Sequence, residues 1–373
     1  MPDVLPLWLK RNLADPFSDE RLVLRADGRM GFLREFYHAQ RYPPTGGYHW
    51  RGSDEFFSDR RSLCGSLKRM LDCTGAVSRQ RSRRRSMHIR KVVIPVAGWG
   101  TRSLPASKNI PKEMLPVYNK PVVQYVVEEA IRAGIEDVVF VTNRDKSVIE
   151  DHFDYNLQLE GILERSGKYE MLKTIRDVAE MVNIMSVRQK KQLGLGHAVL
   201  CAKEMVKNES FAIMVGDDFI LGENAGLEQL VRVAEERNMP VVGVMEVPAE
   251  RVNRYGIVFG EEISQGVYSV SGMVEKPEVG TVDSRLAIVG RYVLPSAIFE
   301  HLERVTPGYG GEIQLTDALA SLAAERGMLA VKMGGIRFDA GDWVDYLSAN
   351  IYLGLQDEHL RDELRARLLA MLQ

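Results

Sequence analysis

Lys91-Val92-Val93-Ile94-Pro95-Val96-Ala97-Gly98 is the stretch on which the fold turns. An unbroken, largely β-branched apolar run of this length, closed by a glycine, reads as a strand buried on both faces. Beyond it lies a loop rich in glycine and proline, and then residues 122–133 (VVQYVVEEAIRA), whose apolar spacing predicts a helix stopped by Gly134. Strand-like runs at 138–142, 183–188, 211–215 and 241–247 then alternate with helical stretches at 146–153, 157–180, 197–206 and 227–237. Buried strands alternating with helices predict an α/β fold, with a mixed, mostly parallel central sheet and helices on both faces. From 255 to 294 three strand-like runs follow one another (GIVFG, GVYSVSGMVEKP and LAIVGRYVL), which predicts a small antiparallel portion. Helices near 295–303 and 314–324, short strands at 329–332 and 336–339, and a charged amphipathic C-terminal helix complete the pattern.

Toward the N-terminus the texture changes. The 373 residues include 49 Lys and Arg against 51 Asp and Glu, a formal charge of −2, but the balance is uneven. Residues 1–86 hold 17 basic residues, 15 of them Arg, and 10 acidic ones, a net of +7; the rest of the chain holds 32 and 41, a net of −9. We therefore expect two segments: an Arg-rich extension over 1–86, disordered or non-catalytic, and a catalytic domain over 87–373. The extension shows little periodicity, contains the turn-prone Tyr42-Pro43-Pro44-Thr45-Gly46-Gly47, and ends in SRQRSRRRS over 78–86. A like-charged block of this kind is a solvated linker, an arm for nucleic acid, or a leader ahead of a true start at Met87. With 45% hydrophobic residues, disorder throughout is excluded. No run nears the roughly 18 apolar residues of a membrane span. Asp3, Pro2 and Pro6 stand where a signal peptide needs a basic and then an apolar region, so a cytoplasmic protein with no membrane partner is expected. Cys64, Cys73 and Cys201 form no CxxC pair and fit neither a disulfide framework nor a zinc site.

The loop after the first strand, VAGWGTRSLPASKNIPKEMLP over 96–116, carries the strongest chemical signal. Gly98 and Gly100 allow backbone N–H groups to approach a ligand, and Thr101, Arg102, Lys108 and Lys112 add donors and positive charge. Amides and cations on one short loop match the oxygens of a polyphosphate. A Walker A loop, GxxxxGK[ST], is absent, and the dinucleotide fingerprint GxGxxG would need glycine where Ser103 stands. Neither a P-loop NTPase nor a Rossmann dehydrogenase is supported. The plainer alternative is an ordinary strand-end loop. Asp217 and Asp218 follow the run at 211–215, at the carboxyl edge where α/β sheets place ligands. A carboxylate there caps a turn or holds a hard cation.

Read in order, Gly98-Trp99-Gly100-Thr101-Arg102, Leu104-Pro105 and Pro111-Lys112-Glu113-Met114-Leu115-Pro116 resemble the signature of the sugar-1-phosphate nucleotidyltransferases. The PKEMLP form, with Gly194-Leu195-Gly196-His197-Ala198-Val199 later, is similar to the bacterial UTP:glucose-1-phosphate uridylyltransferases, the UDP-glucose pyrophosphorylases. The likeness continues through Gly216-Asp217-Asp218, Tyr255-Gly256, Val274-Glu275-Lys276-Pro277 and the stretches 149–154, 287–292 and 311–317. It spans about residues 88–350 and leaves the first 86 without a counterpart.

The resemblance implies a Rossmann-like nucleotide-diphospho-sugar transferase fold. It also implies transfer of UMP from UTP to glucose 1-phosphate, with release of pyrophosphate. It makes Arg102, Lys112 and Lys276 the catalytic cations. It places Ala97, Gly98, Gly100, Thr101, Glu113, Gln189 and Gly194 around the nucleotide, and Gly256, Glu275 and Gly290 around the sugar. Asp217 and Asp339 become ligands of a Mg2+ cofactor. An amide such as that of Gln189 offers both donor and acceptor, as the edge of uracil requires. Taken alone, Glu275-Lys276-Pro277 reads as a surface turn. His197 has no nucleophile beside it in the pattern and reads as structural; the attacking sugar phosphate is already an anion and needs no Ser, Cys or His nucleophile. Two positions depart from the family pattern: Leu193 stands where a lysine commonly precedes the GLG turn, and Asp339-Ala340-Gly341-Asp342-Trp343 lacks the closing Lys or Arg, so a cation is missing from that corner. The alternatives are a thymidylyl- or cytidylyltransferase for another sugar 1-phosphate, a weakly catalytic regulatory paralogue that binds UDP-sugar, and nucleic-acid binding through the leader. A homodimer or homotetramer is the expected assembly.

Overall fold

The computed structural model describes residues 20–24, 30–34 and 87–372. The chain divides into two units, Met1–Gln80 and Arg81–Gln373. In the first, Glu20–Leu24 (β1) and Met30–Arg34 (β2) pair antiparallel, Glu20 opposite Arg34 and Leu24 opposite Met30. The expected turn cluster at 42–47 and the basic run at 78–86 lie outside the described residues.

In the second unit Lys91–Pro95 (β3) is followed by a minimal ribbon, Pro116–Val117 (β4) with Lys120–Pro121 (β5). Next come Asp137–Thr142 (β6), Asn183–Arg188 (β7), Phe211–Met214 (β8) and Asp218–Leu221 (β9). Val241–Glu246 (β10), Gly256–Ser264 (β11), Val267–Glu275 (β12), Leu286–Leu294 (β13), Leu329–Lys332 (β14) and Ile336–Asp339 (β15) complete the strands. Nine of them form one sheet in the order β10-β14-β12-β11-β13-β8-β3-β6-β7. Strands β8, β3, β6 and β7 are mutually parallel. Followed through the remaining pairings, only β12 and β13 run against the other strands of the sheet, so it is mixed and mostly parallel, as expected. Because β10 pairs with β13 as well as β14, the expected antiparallel portion closes on itself as a ring of five strands.

The parallel strands are covered on both faces, which is why their sequences are apolar without alternation. In β3, Val92 and Ile94 point into one core with helix Val122–Arg132 (α1), while Val93 points into the other. Helices Ser147–Asp151 (α2), Leu157–Arg165 (α3) and Tyr169–Ala179 (α4) follow β6. The expected helix at 197–206 is two short ones, Leu195–Cys201 (α5) and Lys203–Val206 (α6), which pack into the core of Val93. Leu227–Arg237 (α7) returns to the core of α1. Ile298–Arg304 (α8) and Leu315–Arg326 (α9) cover the opposite face. The C-terminal helix is likewise two, Trp343–Gln356 (α10) and Arg361–Met371 (α11), broken where Asp357 leaves helical geometry. Among the described residues no helix is long and apolar enough to cross a membrane.

Candidate active site

The short ribbon β9/β15, of which the sequence pattern showed only the second strand, positions the acidic residues. Asp218 lies opposite Asp339, and the Ala340 N–H donates to the Asp217 carbonyl at 2.9 Å. Asp217 and Asp339 therefore face one open cleft, together with Arg102, Gly256, Glu275 and Gly290. The other expected residues lie beside this cleft rather than in its wall. Lys112 reaches it by donating to Asp217, and Lys276 through Glu275, whose Oε1 is 3.5 Å from Nζ. Ala97, Gly98, Gly100, Thr101 and Glu113 belong to the loop segment that leaves β3, and Gln192, which stands between Gln189 and Gly194, donates to the Ala97 carbonyl.

The cations of that loop converge on Asp217. Arg102 Nη2 stands 4.0 Å from Asp217 Oδ2, and Lys112 bonds the same oxygen. Gly100 has φ +64°, and a Cβ there would make only ordinary contact, 3.4 Å, with the Lys112 stem, so it is the left-handed turn that calls for glycine. Burial works against the charge on Lys112, but the carboxylates of Asp217 and Glu113 outweigh it and hold the ammonium above its ordinary pKa. Burial also opposes the charge on Asp217, and here Lys112 and Arg102 prevail, keeping the carboxyl below its usual range. Asp339 goes the other way, pushed up by burial and then by the negative charge of Asp217.

Among the residues expected at the nucleotide, the Ala97 carbonyl accepts from Asn143 Nδ2 at 2.8 Å and from Gln192 Nε2 at 3.0 Å. Gln189 Nε2 donates to the Gly194 carbonyl at 3.1 Å and lies 3.0 Å from His197 Nδ1, which gives that histidine a structural partner. Gly194 has φ +95°, and a Cβ on it would strike Glu312 Cβ at 2.7 Å. A Cβ on Gly98 would meet nothing within 4 Å, so space is open above this part of the loop. Glu113, expected at the nucleotide, is instead buried against Lys146, whose Nζ donates to it at 2.8 Å. Burial raises the Glu113 carboxyl and lowers the Lys146 ammonium. Lys146, Asn143 and Gln192 were not expected; as single polar residues in loops they carry no local signal.

Among the residues expected at the sugar, Glu275 Oε2 accepts from Thr316 Oγ1 at 2.6 Å. A Cβ on Gly256 would lie 2.9 Å from that hydroxyl and 3.1 Å from that carboxylate, so the glycine keeps both close to the backbone. Lys276 holds φ +45°, a costly conformation for a non-glycine residue, and its N–H donates to the Tyr255 carbonyl at 3.0 Å. Gly290 lies in the cleft wall with Gly256 and Glu275, and packing alone also requires the glycine: φ is +71° and a Cβ there would fall 2.3 Å from Val215 Cγ2. Gly290→Ala should cost about 2–4 kcal/mol, from left-handed strain and overpacking together. Urea unfolding measures it, and a loss below about 1 kcal/mol would mean that Val215 gives way freely.

The missing cation is also corrected. Asp342 caps α10, its Oδ1 accepting from Val344 N at 3.0 Å and Asp345 N at 3.4 Å, so Trp343 becomes the first helical residue and sits edge-on to Tyr346. The charge beside Asp339 comes from Arg337, whose Nη2 is 3.9 Å from Asp339 Oδ2.

An α/β sheet whose carboxyl-edge loop carries cations to a pair of carboxylates, next to a cleft with fixed groups for hydroxyls, defines a site for phosphoryl chemistry on a nucleotide and a polar second substrate. The nucleotidyl transferase family profile matches residues 91–354, and the chain belongs to that family. A UTP–glucose-1-phosphate uridylyltransferase of Staphylococcus saprophyticus is 45% identical over 278 residues, covering 74% of this chain and 97% of the relative. One from Bacillus subtilis is 45% identical over 276 residues, covering 74% and 94%. A solved UTP-bound UGPase from Acinetobacter baumannii shares the fold with a TM-score of 0.71 at 42% identity, covering 76% of this chain and 99% of that one. A UDP-glucose pyrophosphorylase solved with UDP-glucose gives a TM-score of 0.67 at 39% identity, covering 72% and 100%.

Proposed function

We propose that the chain transfers UMP from UTP to glucose 1-phosphate, forming UDP-glucose and pyrophosphate. The observation that carries the proposal is the convergence of Lys112 and Arg102 on Asp217 at the edge of a cleft that also holds Glu275. A phosphate oxygen of glucose 1-phosphate attacks the α-phosphorus of UTP in line, and the bond from that phosphorus to the bridging oxygen of pyrophosphate breaks. No protein nucleophile takes part. The protein holds two mutually repelling anions in line and offsets the charge that builds on the α-phosphoryl oxygens and the leaving group. Arg102 and Lys112 face the nucleotide phosphates, and Lys276 the sugar phosphate. Glu275, its carboxylate fixed by Thr316, accepts from glucose hydroxyls.

The donor set fits a Mg2+ ion held by Asp217 and Asp339. Two half-buried carboxylates share one corner, and burial and then the charge of Asp217 raise the carboxyl of Asp339, a repulsion that a bound cation would relieve. A pair of carboxylates suits Mg2+, which takes one or two of them and completes its shell with water and substrate phosphates. When bound, the ion supplies positive charge to the phosphate oxygens. Lys112, by keeping Asp217 ionised, holds the site ready for it.

Pyrophosphate release from glucose 1-phosphate with UTP, dTTP or CTP tests the reading, on the full chain and on a chain starting at Met87. UTP should be preferred, chelation should abolish turnover and Mg2+ restore it. Preference for dTTP or CTP would reassign the base, and no release with any of them would end the proposal. Two further proposals come from the sequence, a cytoplasmic location and a homodimer or homotetramer; light scattering on the purified chain decides the second.

A further inference from the structure

Arg337, which brings charge to Asp339, has no place in the sequence pattern. It projects from β15 into the wall of the cleft that holds Asp217, Asp339, Gly256 and Glu275. Three groups hold it. Its Nε and Nη2 both reach Asp218 Oδ2, its guanidinium lies over the Tyr255 ring at 5.7 Å, and Asp339 Oδ2 is 3.9 Å away. Asp218 is itself fixed: it is 2% exposed, and its carbonyl accepts from Arg291 Nη2 at 2.7 Å. Tyr255 links this cation to the sugar side, since the carbonyl of the residue whose ring carries Arg337 accepts from the Lys276 N–H at 3.0 Å.

A purely structural Arg–Asp pair would close its donors and acceptors on each other. Here the match is incomplete on both sides. Asp218 Oδ1 is buried with no hydrogen-bond partner, the one such side-chain atom among the described residues. Arg337 meets Asp218 at the other oxygen, through Nε and Nη2, while a guanidinium carries five N–H donors in a planar fork. That fork matches two oxygens of a phosphate. The side chain is 15% exposed, so a charge-assisted contact there is less screened by water than one made by Arg254, which also lines the cleft but is 62% exposed.

We propose that Arg337 binds the phosphate of glucose 1-phosphate alongside Lys276, and that Asp218 is the residue that positions its guanidinium. The inference rests on the reading that this cleft takes a sugar 1-phosphate. It also explains how the chain tolerates Trp343: the cation absent from that position is supplied from a strand two residues ahead of Asp339.

Steady-state kinetics on the full chain test it, with each substrate varied while the other is saturating. Arg337→Gln should raise KM for glucose 1-phosphate by at least about tenfold and leave KM for UTP within about twofold. Arg337→Lys, which keeps the charge and loses the fork, should fall between. Because Arg337→Gln strands a buried carboxylate, Arg337→Gln with Asp218→Asn is made beside it; this neutral pair should recover thermal stability without recovering KM for glucose 1-phosphate. Recovery of both in the double variant, an unchanged KM for glucose 1-phosphate in Arg337→Gln, or a parallel rise in both KM values would overturn the assignment. Calorimetric titration of glucose 1-phosphate into wild type and the neutral pair reads the same contact without turnover. Wild-type chain that binds glucose 1-phosphate but makes no UDP-glucose would defeat the functional reading alone, and equal binding by both proteins would defeat the role of Arg337.

Discussion

Lys112→Ala should lower kcat by about 10²–10³-fold, the loss seen when one preorganised donor to a developing oxyanion is removed. The size follows from where the ammonium sits. Its stem runs past Gly100 into a site where the side chain is 16% exposed, so its charge acts in a medium much less polarisable than water. It is also the partner that keeps Asp217 ionised against burial. The alanine variant therefore loses a phosphate cation and weakens a carboxylate in one change. Asp217→Asn should cost at least as much, and the double variant should cost little more than the worse single one, because the two side chains act as a unit. The fold should survive. Arg102 remains 4.0 Å from Asp217, and the loop is pinned independently by Ser107 Oγ, which donates to the Gly100 carbonyl at 2.7 Å. Initial rates at saturating UTP and glucose 1-phosphate, with a circular dichroism melt as the control, decide it. Turnover within about threefold of wild type would remove Lys112 from the machinery.

How much of this was legible depended on whether the signal was local. The run from Lys91 is buried because its own residues leave no polar face, and Arg102 and Lys112 stand close together because one short segment carries them. Both were readable in sequence; that the two cations meet on Asp217 was not. Strand β9 was not: it opens on Asp218, directly after Asp217, and only its pairing with β15 makes it a strand. The same pairing brings Arg337 to Asp218 and Asp217 to the carboxyl edge beside Asp339. Gly290 shows the other limit. That it must be glycine could be read from its motif, but the cause, Val215 filling the space of its side chain, exists only once β13 lies against β8. Glu113 was read as a ligand contact because it sits in a signature, whereas the fold gives it the buried Lys146 as partner.

Glu129→Ala should be the most destabilising single change in the catalytic unit, at about 3–5 kcal/mol. Arg291 is completely buried, and both its Nε and Nη2 donate to the Glu129 carboxylate at 2.8 Å. An arginine does not discard its proton to escape burial, so without Glu129 a full charge stays in the core. The same carboxylate accepts from the Leu227 N–H at 2.9 Å at the start of α7, and a Cβ on Gly226 would lie 2.2 Å from it, so α7 loses its anchor as well. Against a total of about 5–15 kcal/mol, a loss of this size leaves a marginal fold, and urea unfolding at neutral pH reads it directly. Glu129→Leu combined with Arg291→Met separates stability from function. A neutral, apolar pair of similar bulk should recover most of the lost stability, because it carries no desolvated charge. It should not recover turnover, since Arg291 Nη2 also holds the Asp218 carbonyl at 2.7 Å, one residue from Asp217 and at the root of the ribbon that carries Asp339. A double variant that regains both would show that the ion pair serves the core alone. One that regains only stability shows that it fixes the turn on which the acidic corner of the site is built.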